Sequence, residues 1–160
     1  MVVPALAKSE LPMIHYSKWP AGEAGRAEEK GISQVSFWKI SEREDKYEIF
    51  AQVEVLGDDL LVVLWGGTKP HIGAIGMAQP RPSLKDSKRI SATSSAFTFL
   101  GHKEDVVAKA MSEELARELN RKVVVVAGMH WEGLRDEGIE EVIGICQRLK
   151  HRILEEIRRL

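Results

Sequence analysis

The sequence is poor in cysteine, and this sets a first limit on the protein. Cys146 is its only cysteine among 160 residues, so no disulfide can form within the chain. Cys146 falls on the apolar side of a helical pattern, where we expect a buried and unreactive thiol. A chain without disulfides suits a reducing compartment, and we expect the protein in the cytoplasm.

The sequence also lacks long apolar runs and an excess of charge of one sign. No apolar stretch reaches the roughly 18 residues of a membrane-spanning helix. The N-terminal segment "MVVPALAKSELPM" contains two prolines and no long apolar core, which is not typical of a signal peptide. The formal net charge of −1 argues against a general nucleic-acid binder. We therefore expect neither a membrane nor a nucleic acid as partner.

Alternating and apolar segments predict five strands in the middle of the chain. Residues 1–31 hold three prolines without a sustained period, so we expect an irregular arm there, followed by one domain over residues 32–160. The turn "GDD" joins the second and third segments into an antiparallel hairpin. The segment "LLVVLW" predicts a central strand covered on both faces or a barrel-like interior strand. "PRPSLKDSKR" predicts a loop. The predicted strands are "ISQVSFWKI", "KYEIFAQVEVLG", "LLVVLW", "HIGAIGMAQ" and "ISATSSAFTFL".

Two helices and one further strand follow these segments. Apolar residues recur four apart at Val107, Met111, Leu115 and Leu119, which is the period of a helix face. "KVVVVAG" predicts a short buried strand, and residues 136–159 predict a helix with acids at its start and bases near its end. The order favours an α+β fold: a mostly antiparallel sheet of about five to six strands, with two helices of the C-terminal half packed on it.

Three histidines share one kind of position. His71, His102 and His130 each have a glycine within two residues, and each lies where a regular element meets a loop. Sites carried by a fold are usually found at such junctions. The ordinary alternative is turn chemistry, in which the glycines make turns and each histidine binds a loop carbonyl.

Several chemistries fit this pattern. Three histidines with Glu104 or Asp105 would satisfy zinc or iron, although no HxH or HExxH spacing is present. The serines at 91, 94 and 95 lack a GxSxG elbow, which disfavours nucleophilic hydrolysis. A third possibility is an anion site, in which the "GGTK" segment and the helix that begins near His102 offer backbone N–H groups.

A flat ring is a further ligand that these segments could take. The glycines after His71 permit close approach of a ring to the backbone, and Trp65 and Trp131 could stack on it. Packing in the core is the ordinary alternative for both tryptophans.

These motifs resemble a known family. "GGTKPHIGAIGMA", "FLGHKEDVVAKAMSEELARELN" and "VVVVAGMHWEGLRDEGIEEV" are similar to the LpdD-like prenylated flavin chaperones, small proteins associated with UbiD-type decarboxylases. The resemblance spans about residues 45 to 157. It implies a fold similar to that of proteasome assembly chaperones, often dimeric.

The resemblance also implies a function. The protein would not itself be an enzyme, and would bind prenylated FMN or FMN, or help it reach a UbiD-type decarboxylase. Lys69 and Lys103 would pair with the phosphate, the histidines would hydrogen-bond the flavin, and Asp105 would fix a histidine tautomer or accept from a ribityl hydroxyl. The positions that fall on the family-like motifs are Gly66, Gly67, Lys69, His71, Gly73, His102, Lys103, Asp105, Gly128 and His130.

Two alternatives from other classes stay open. One is an assembly or scaffold protein without a small-molecule ligand, which predicts a homodimer or partner complex with the helices at the contact. The other is a metal-dependent hydrolase that uses His71, His102, His130 and Asp105.

Overall fold

The computed structural model describes residues 35–160. The predicted arm over residues 1–31 and the predicted domain start at residue 32 lie outside the described residues. The described elements are β1 (Val35–Glu44), β2 (Tyr47–Leu56), β3 (Asp59–Gly67), β4 (Ala74–Pro82), β5 (Ile90–Thr98), α1 (Asp105–Leu119), β6 (Val123–His130) and α2 (Asp136–Arg159).

The six strands form one sheet in the order β1-β2-β3-β6-β4-β5. Only the β3–β6 pair is parallel, and the other four pairs are antiparallel. This confirms the predicted α+β class, the mostly antiparallel sheet and the hairpin of β2 and β3. The late strand β6 lies between β3 and β4 and joins two hairpin-built halves into one sheet.

Both helices pack on the same face of the sheet, and the hydrophobic core lies between them and the strands. Helix α1 packs on β4, β5 and β6, and α2 packs on β1 and β2. Burial of each large aliphatic side chain contributes about 1.5–3 kcal/mol, so this layer provides most of the stability of the fold. The largest fully buried aliphatic side chains are Ile49, Val53, Leu60, Val62, Leu64, Leu115, Val123, Val125, Ile145, Leu149 and Ile153.

The only cysteine belongs to this core. Cys146 lies on the buried side of α2, and burial raises the pKa of its thiol to about 12. The thiolate is the reactive form of cysteine, so this side chain is unreactive at neutral pH. The expectation of a buried, inert thiol is confirmed.

Strand β4 differs from its predicted bounds at both ends. It begins at Ala74 instead of His71 and continues through Pro80 and Pro82, which the sequence assigned to a loop. Its pairing with β6 stops at Ala78, and beyond that point β4 pairs with β5 alone. A proline on an edge has no ladder hydrogen bond to lose on the open side, which explains why two prolines fit here.

The face of the sheet opposite the helices carries many apolar side chains, together with polar ones such as Gln52 and Glu54, and no described element covers it. We call this surface the open face. The prediction that "LLVVLW" is covered on both faces is therefore wrong for the described residues, because only alternate residues of β3 are buried. Two residues of the open face, Met77 and Phe97, are 47% and 56% exposed. The apolar residues of the open face include Phe50, Leu61, Val63, Trp65, Ile75, Met77, Phe97, Val124 and Val126.

Helix α2 is long, but it is amphipathic, with a buried apolar side and an exposed charged side. Within residues 35–160, no helix is both long enough and apolar enough to cross a bilayer.

Candidate functional site

The three histidine motifs meet at one edge of the sheet. Because β3 and β6 are parallel, they end side by side, and Gly67 pairs with His130 in the ladder. Strand β4 runs antiparallel to β6 and begins at the same edge, where Ala74 pairs with Ala127. The segment after β5 returns there before α1 begins. We call this end of the sheet the histidine edge.

Glycines bring the segments of the histidine edge into contact. Gly67 has a φ of 80°, and a Cβ there would overlap the carbonyl of His130. A Cβ on Gly128 would overlap the carbonyl oxygen of His71, and one on Gly73 would lie 2.7 Å from the carboxylate of Glu104. These glycines are therefore required for close approach of one segment to another.

His71, His102 and Glu104 form a compact cluster. His71 Nε2 lies 3.0 Å from His102 Nδ1 and 3.1 Å from Glu104 Oε1. His102 Nδ1 lies 3.6 Å from Glu104 Oε2. The side chains are only 23%, 31% and 12% exposed, in that order, so the cluster is largely shielded from water.

The backbone fixes the orientation of the His71 ring. His71 Nδ1 lies 2.9 Å from the carbonyl oxygen of Lys69. A carbonyl only accepts hydrogen bonds, so Nδ1 carries a proton. In the neutral ring, the lone pair of Nε2 then points at His102 and Glu104.

Glu104 is held as a carboxylate. The backbone N–H of Lys103 donates to Oε2 over 2.9 Å, and that of Met129 donates to Oε1 over 3.3 Å. Burial acts to raise the pKa of Glu104, but hydrogen bonds from three backbone N–H groups and the nearby charge of His102 outweigh it. The pKa of Glu104 is therefore below its usual value, and its side chain is a carboxylate at neutral pH.

His130 and Lys69 lie close to the cluster without entering it. The ring centroid of His130 is 6.4 Å from that of His71, and the His130 side chain is exposed. Its backbone carbonyl accepts from the N–H of Thr68 over 2.8 Å, which ties the two segments together. Lys69 Nζ forms an exposed ion pair with Glu132 at 3.2 Å.

Lys103, Asp105 and Gly66 complete the predicted set. Lys103 contributes its backbone N–H to the cluster, and its side chain is exposed. Asp105 is the first residue of α1, and among the described residues the carboxylate that contacts the histidines is Glu104. Gly66 lies where a Cβ would crowd the carbonyl of Glu48 at 2.7 Å.

The two neighbouring tryptophans have aromatic partners of their own. Trp131 packs edge-on against Tyr47 at 5.3 Å, and Trp65 stacks with Phe50 at 5.7 Å on the open face. Trp131 packs against the hydrophobic core, in agreement with the core-packing alternative, whereas Trp65 lies on the opposite face of the sheet.

The sequence predicted that either Glu104 or Asp105 could join the histidines, and only Asp105 was included in the predicted site. The structure distinguishes them, because α1 begins at Asp105 and leaves Glu104 in the preceding segment, beside the strand ends. The one available signal was position, since Glu104 immediately precedes the first helical residue.

Fold and site together define a small α+β domain, with helices on one face of the sheet and a glycine-framed histidine–carboxylate cluster at one edge. The chain belongs to the family described as the prenylated flavin chaperone LpdD-like domain, whose model matches residues 43–158. The matched residues include all three histidine motifs. This membership supports an accessory role as a chaperone, and a chaperone acts on a partner protein.

Two individual proteins are also similar to the chain. Protein LpdD of Lactiplantibacillus plantarum (strain ATCC BAA-793 / NCIMB 8826 / WCFS1) is 29% identical over 84 residues, which are 52% of this chain and 58% of that protein. The match thus spans little more than half of that relative. A chain from the crystal structure of a chaperone complex for yeast 20S proteasome assembly is 14% identical, with a TM-score of 0.44, and covers 77% of this chain and 96% of that chain.

Proposed function

We propose that the protein binds prenylated FMN or FMN at the histidine edge and delivers it to a UbiD-type decarboxylase, without catalysing a reaction itself. The observation that carries this proposal is the family match over residues 43–158, which includes the three motifs that meet at this edge.

The chemistry of the histidine edge suits a flavin. The imidazoles of His71, His102 and His130 offer donors and acceptors for the polar rim of the isoalloxazine ring. Apolar side chains stand next to them for the hydrocarbon part of the ligand: Ile72 is 57% exposed and Leu100 is fully exposed. An exposed apolar group beside a polar cluster is the composition of many small-molecule sites.

Two lysines are available for the phosphate of the flavin. The ion pair of Lys69 with Glu132 is exposed, and such pairs contribute only about 0–1 kcal/mol, so the ammonium can change partner at little cost. The side chain of Lys103 is also exposed, next to His102 and Glu104 in the sequence. In this proposal Asp105, at the start of α1, accepts from a ribityl hydroxyl.

A titration of flavin fluorescence with FMN and, under anaerobic conditions, prenylated FMN tests the binding step. We expect saturable binding of one flavin per chain, and about fivefold weaker binding in His71→Ala and His130→Ala, since one hydrogen bond contributes about 1 kcal/mol. His151→Ala, a histidine on the exposed side of α2, is the matched control. Wild-type affinity in both edge variants would contradict the proposed site.

Transfer to the partner requires a second measurement. Protein loaded with prenylated FMN is mixed with an apo UbiD-type decarboxylase, and decarboxylase activity is followed against an equal amount of free cofactor. We expect faster activation from the loaded protein. Equal activation by free cofactor would refute delivery while leaving binding intact.

We further propose that the protein forms a homodimer through the open face. Val63, Val126, Ile75 and Phe97 are neighbours in register across four strands and make a continuous apolar row. By contrast, the exposed side of α2 is rich in charge, including ion pairs of Arg148 with Glu44 and of Arg159 with Glu156. The open face therefore offers a second copy a continuous apolar row that the charged, exposed side of α2 does not offer.

Light scattering after size exclusion tests this assembly. We expect a dimer for the wild type and a monomer for Met77→Lys, because the new ammonium would be buried without a partner. Leu84→Lys, at a loop position that is 91% exposed, is the control and stays dimeric. A monomeric wild type would refute the proposal.

A further inference from the structure

The cluster of His71, His102 and Glu104 contains more acceptors than donors. Its inward-facing atoms are His71 Nε2, His102 Nδ1 and the two carboxylate oxygens. Because the proton of His71 is on Nδ1, its Nε2 presents a lone pair to a carboxylate 3.1 Å away. Two lone pairs at that distance repel each other unless a cation, either a proton or a metal ion, lies between them.

We propose that His71, His102 and Glu104 bind one divalent transition-metal ion. Bonds of about 2.0–2.1 Å from a tetrahedral metal to its ligands place the ligand atoms about 3.3 Å from one another. His71 Nε2 lies 3.0 Å from His102 Nδ1 and 3.1 Å from Glu104 Oε1, and His102 Nδ1 lies 3.6 Å from the other carboxylate oxygen, Oε2. One ligand atom from each of the three residues lies within 4.8 Å of the other two, which is close enough for all three to contact one ion.

The ligand types indicate the class of metal. Two imidazole nitrogens and one carboxylate oxygen suit Zn²⁺, Fe²⁺ or Co²⁺, whereas Mg²⁺ and Ca²⁺ prefer ligand sets made of oxygen alone. Sulfur does not contribute, because the only cysteine is buried in α2. Three protein ligands leave at least one position open for water or an oxygen donor.

The groups behind the ligands hold them in place. The carbonyl of Lys69 fixes the tautomer of His71, and the N–H groups of Lys103 and Met129 fix the carboxylate of Glu104. Such supporting hydrogen bonds are typical of metal sites, and their loss commonly costs about 10–100-fold in affinity. The ligands thus need little rearrangement to bind an ion.

Metal binding does not depend on the flavin proposal. The two proposals share His71 and His102, and each also uses a residue that the other does not. His130 belongs to the proposed flavin site but not to the metal cluster, while Glu104 belongs to the metal cluster. A variant at each position therefore separates the two functions.

The test uses the full chain, freed of metal with a chelator and then titrated with Co²⁺. We expect a visible absorption band that saturates at one Co²⁺ per chain and is abolished by added Zn²⁺. Glu104→Gln keeps the size of the side chain but removes its charge, and it should weaken Co²⁺ binding more than tenfold. His102→Ala should do the same. Circular dichroism verifies that both variants are folded.

Two controls define the result that would overturn the inference. His130→Ala and His151→Ala keep wild-type Co²⁺ affinity if the site consists of the proposed three residues. A wild type without saturable Co²⁺ binding would show that the cluster shares a proton instead of a metal. Equal Co²⁺ binding by Glu104→Gln and wild type would also refute the site.

Discussion

Gly67, Gly73 and Gly128 at the histidine edge differ from Gly57 at the opposite end of the sheet in what an added Cβ would meet. At the histidine edge, Gly67, Gly73 and Gly128 leave no space for a Cβ because another segment occupies it. At the opposite end, Gly57 has a φ of 62°, and a Cβ added there would meet nothing within 4 Å. Asn120 takes a similar left-handed conformation there, with a φ of 53°. Glycine is thus needed for contact between segments at Gly67, Gly73 and Gly128, and for chain direction at Gly57. Gly101 and Gly133, in the segments next to His102 and His130, resemble Gly57, because each has a positive φ and open space for a Cβ.

Among these glycines, Gly128→Ala should have the largest effect on the stability of the protein. The new methyl would overlap the carbonyl of His71, so the segment that carries His71 must move away from β6. We expect a loss of about 2–4 kcal/mol in the free energy of unfolding, the range of strongly overpacked sites. Urea denaturation measures it. A loss no larger than that of Gly57→Ala would remove the distinction between the two ends.

Protonation of Glu104 should have a moderate effect that depends on pH. The folded protein holds the pKa of Glu104 below its usual 4.5, so its contribution is complete above that value. As the pH falls through the lower folded pKa, this contribution is lost. We expect the thermal midpoint of the wild type to fall between about pH 5 and pH 3 more steeply than that of Glu104→Gln. An equal fall of the thermal midpoint with pH in the two proteins would contradict the lowered pKa of Glu104.

Gly57→Ala should have the smallest effect. Space is available for the methyl, and only the left-handed conformation is unfavourable, at about 1 kcal/mol. Urea denaturation should show this small loss, and Co²⁺ and flavin binding should remain unchanged because Gly57 lies at the far end of the sheet. Weaker binding of either ligand would mean that the two ends are coupled.

The sequence predicted which segments form strands and helices better than it predicted which strands lie next to one another in the sheet. Alternation in β2 and the period of four in α1 identify a strand and a helix directly, and both are confirmed. The place of β6 was not predictable, because a run such as "VVVV" indicates burial without indicating which strands lie beside it. The uncovered open face was missed for the same reason.

The candidate site was predictable in part. Glycines beside His71, His102 and His130 indicated special backbone positions, and the structure brings two of these histidines within 3.0 Å. The contact of Glu104 with them depends on the residue at which α1 begins, and acids at 104 and 105 both suit a helix start. A shift of one residue turns a side chain by about 100° around a helix, so sequence pattern did not resolve the pair.

The position of β6 has a consequence for the order of folding. Strands β1–β3 and β4–β5 pair with each other only through β6, which is also the last strand in the described chain. During synthesis, both hairpin units emerge before the segment that unites them. The backbone N–H of Met129 in β6 donates a hydrogen bond to Glu104, and the pairing of β6 with β3 places His130 beside Gly67. The histidine cluster therefore completes its hydrogen bonds only when the sheet closes, which couples the ability to bind to the final step of chain assembly.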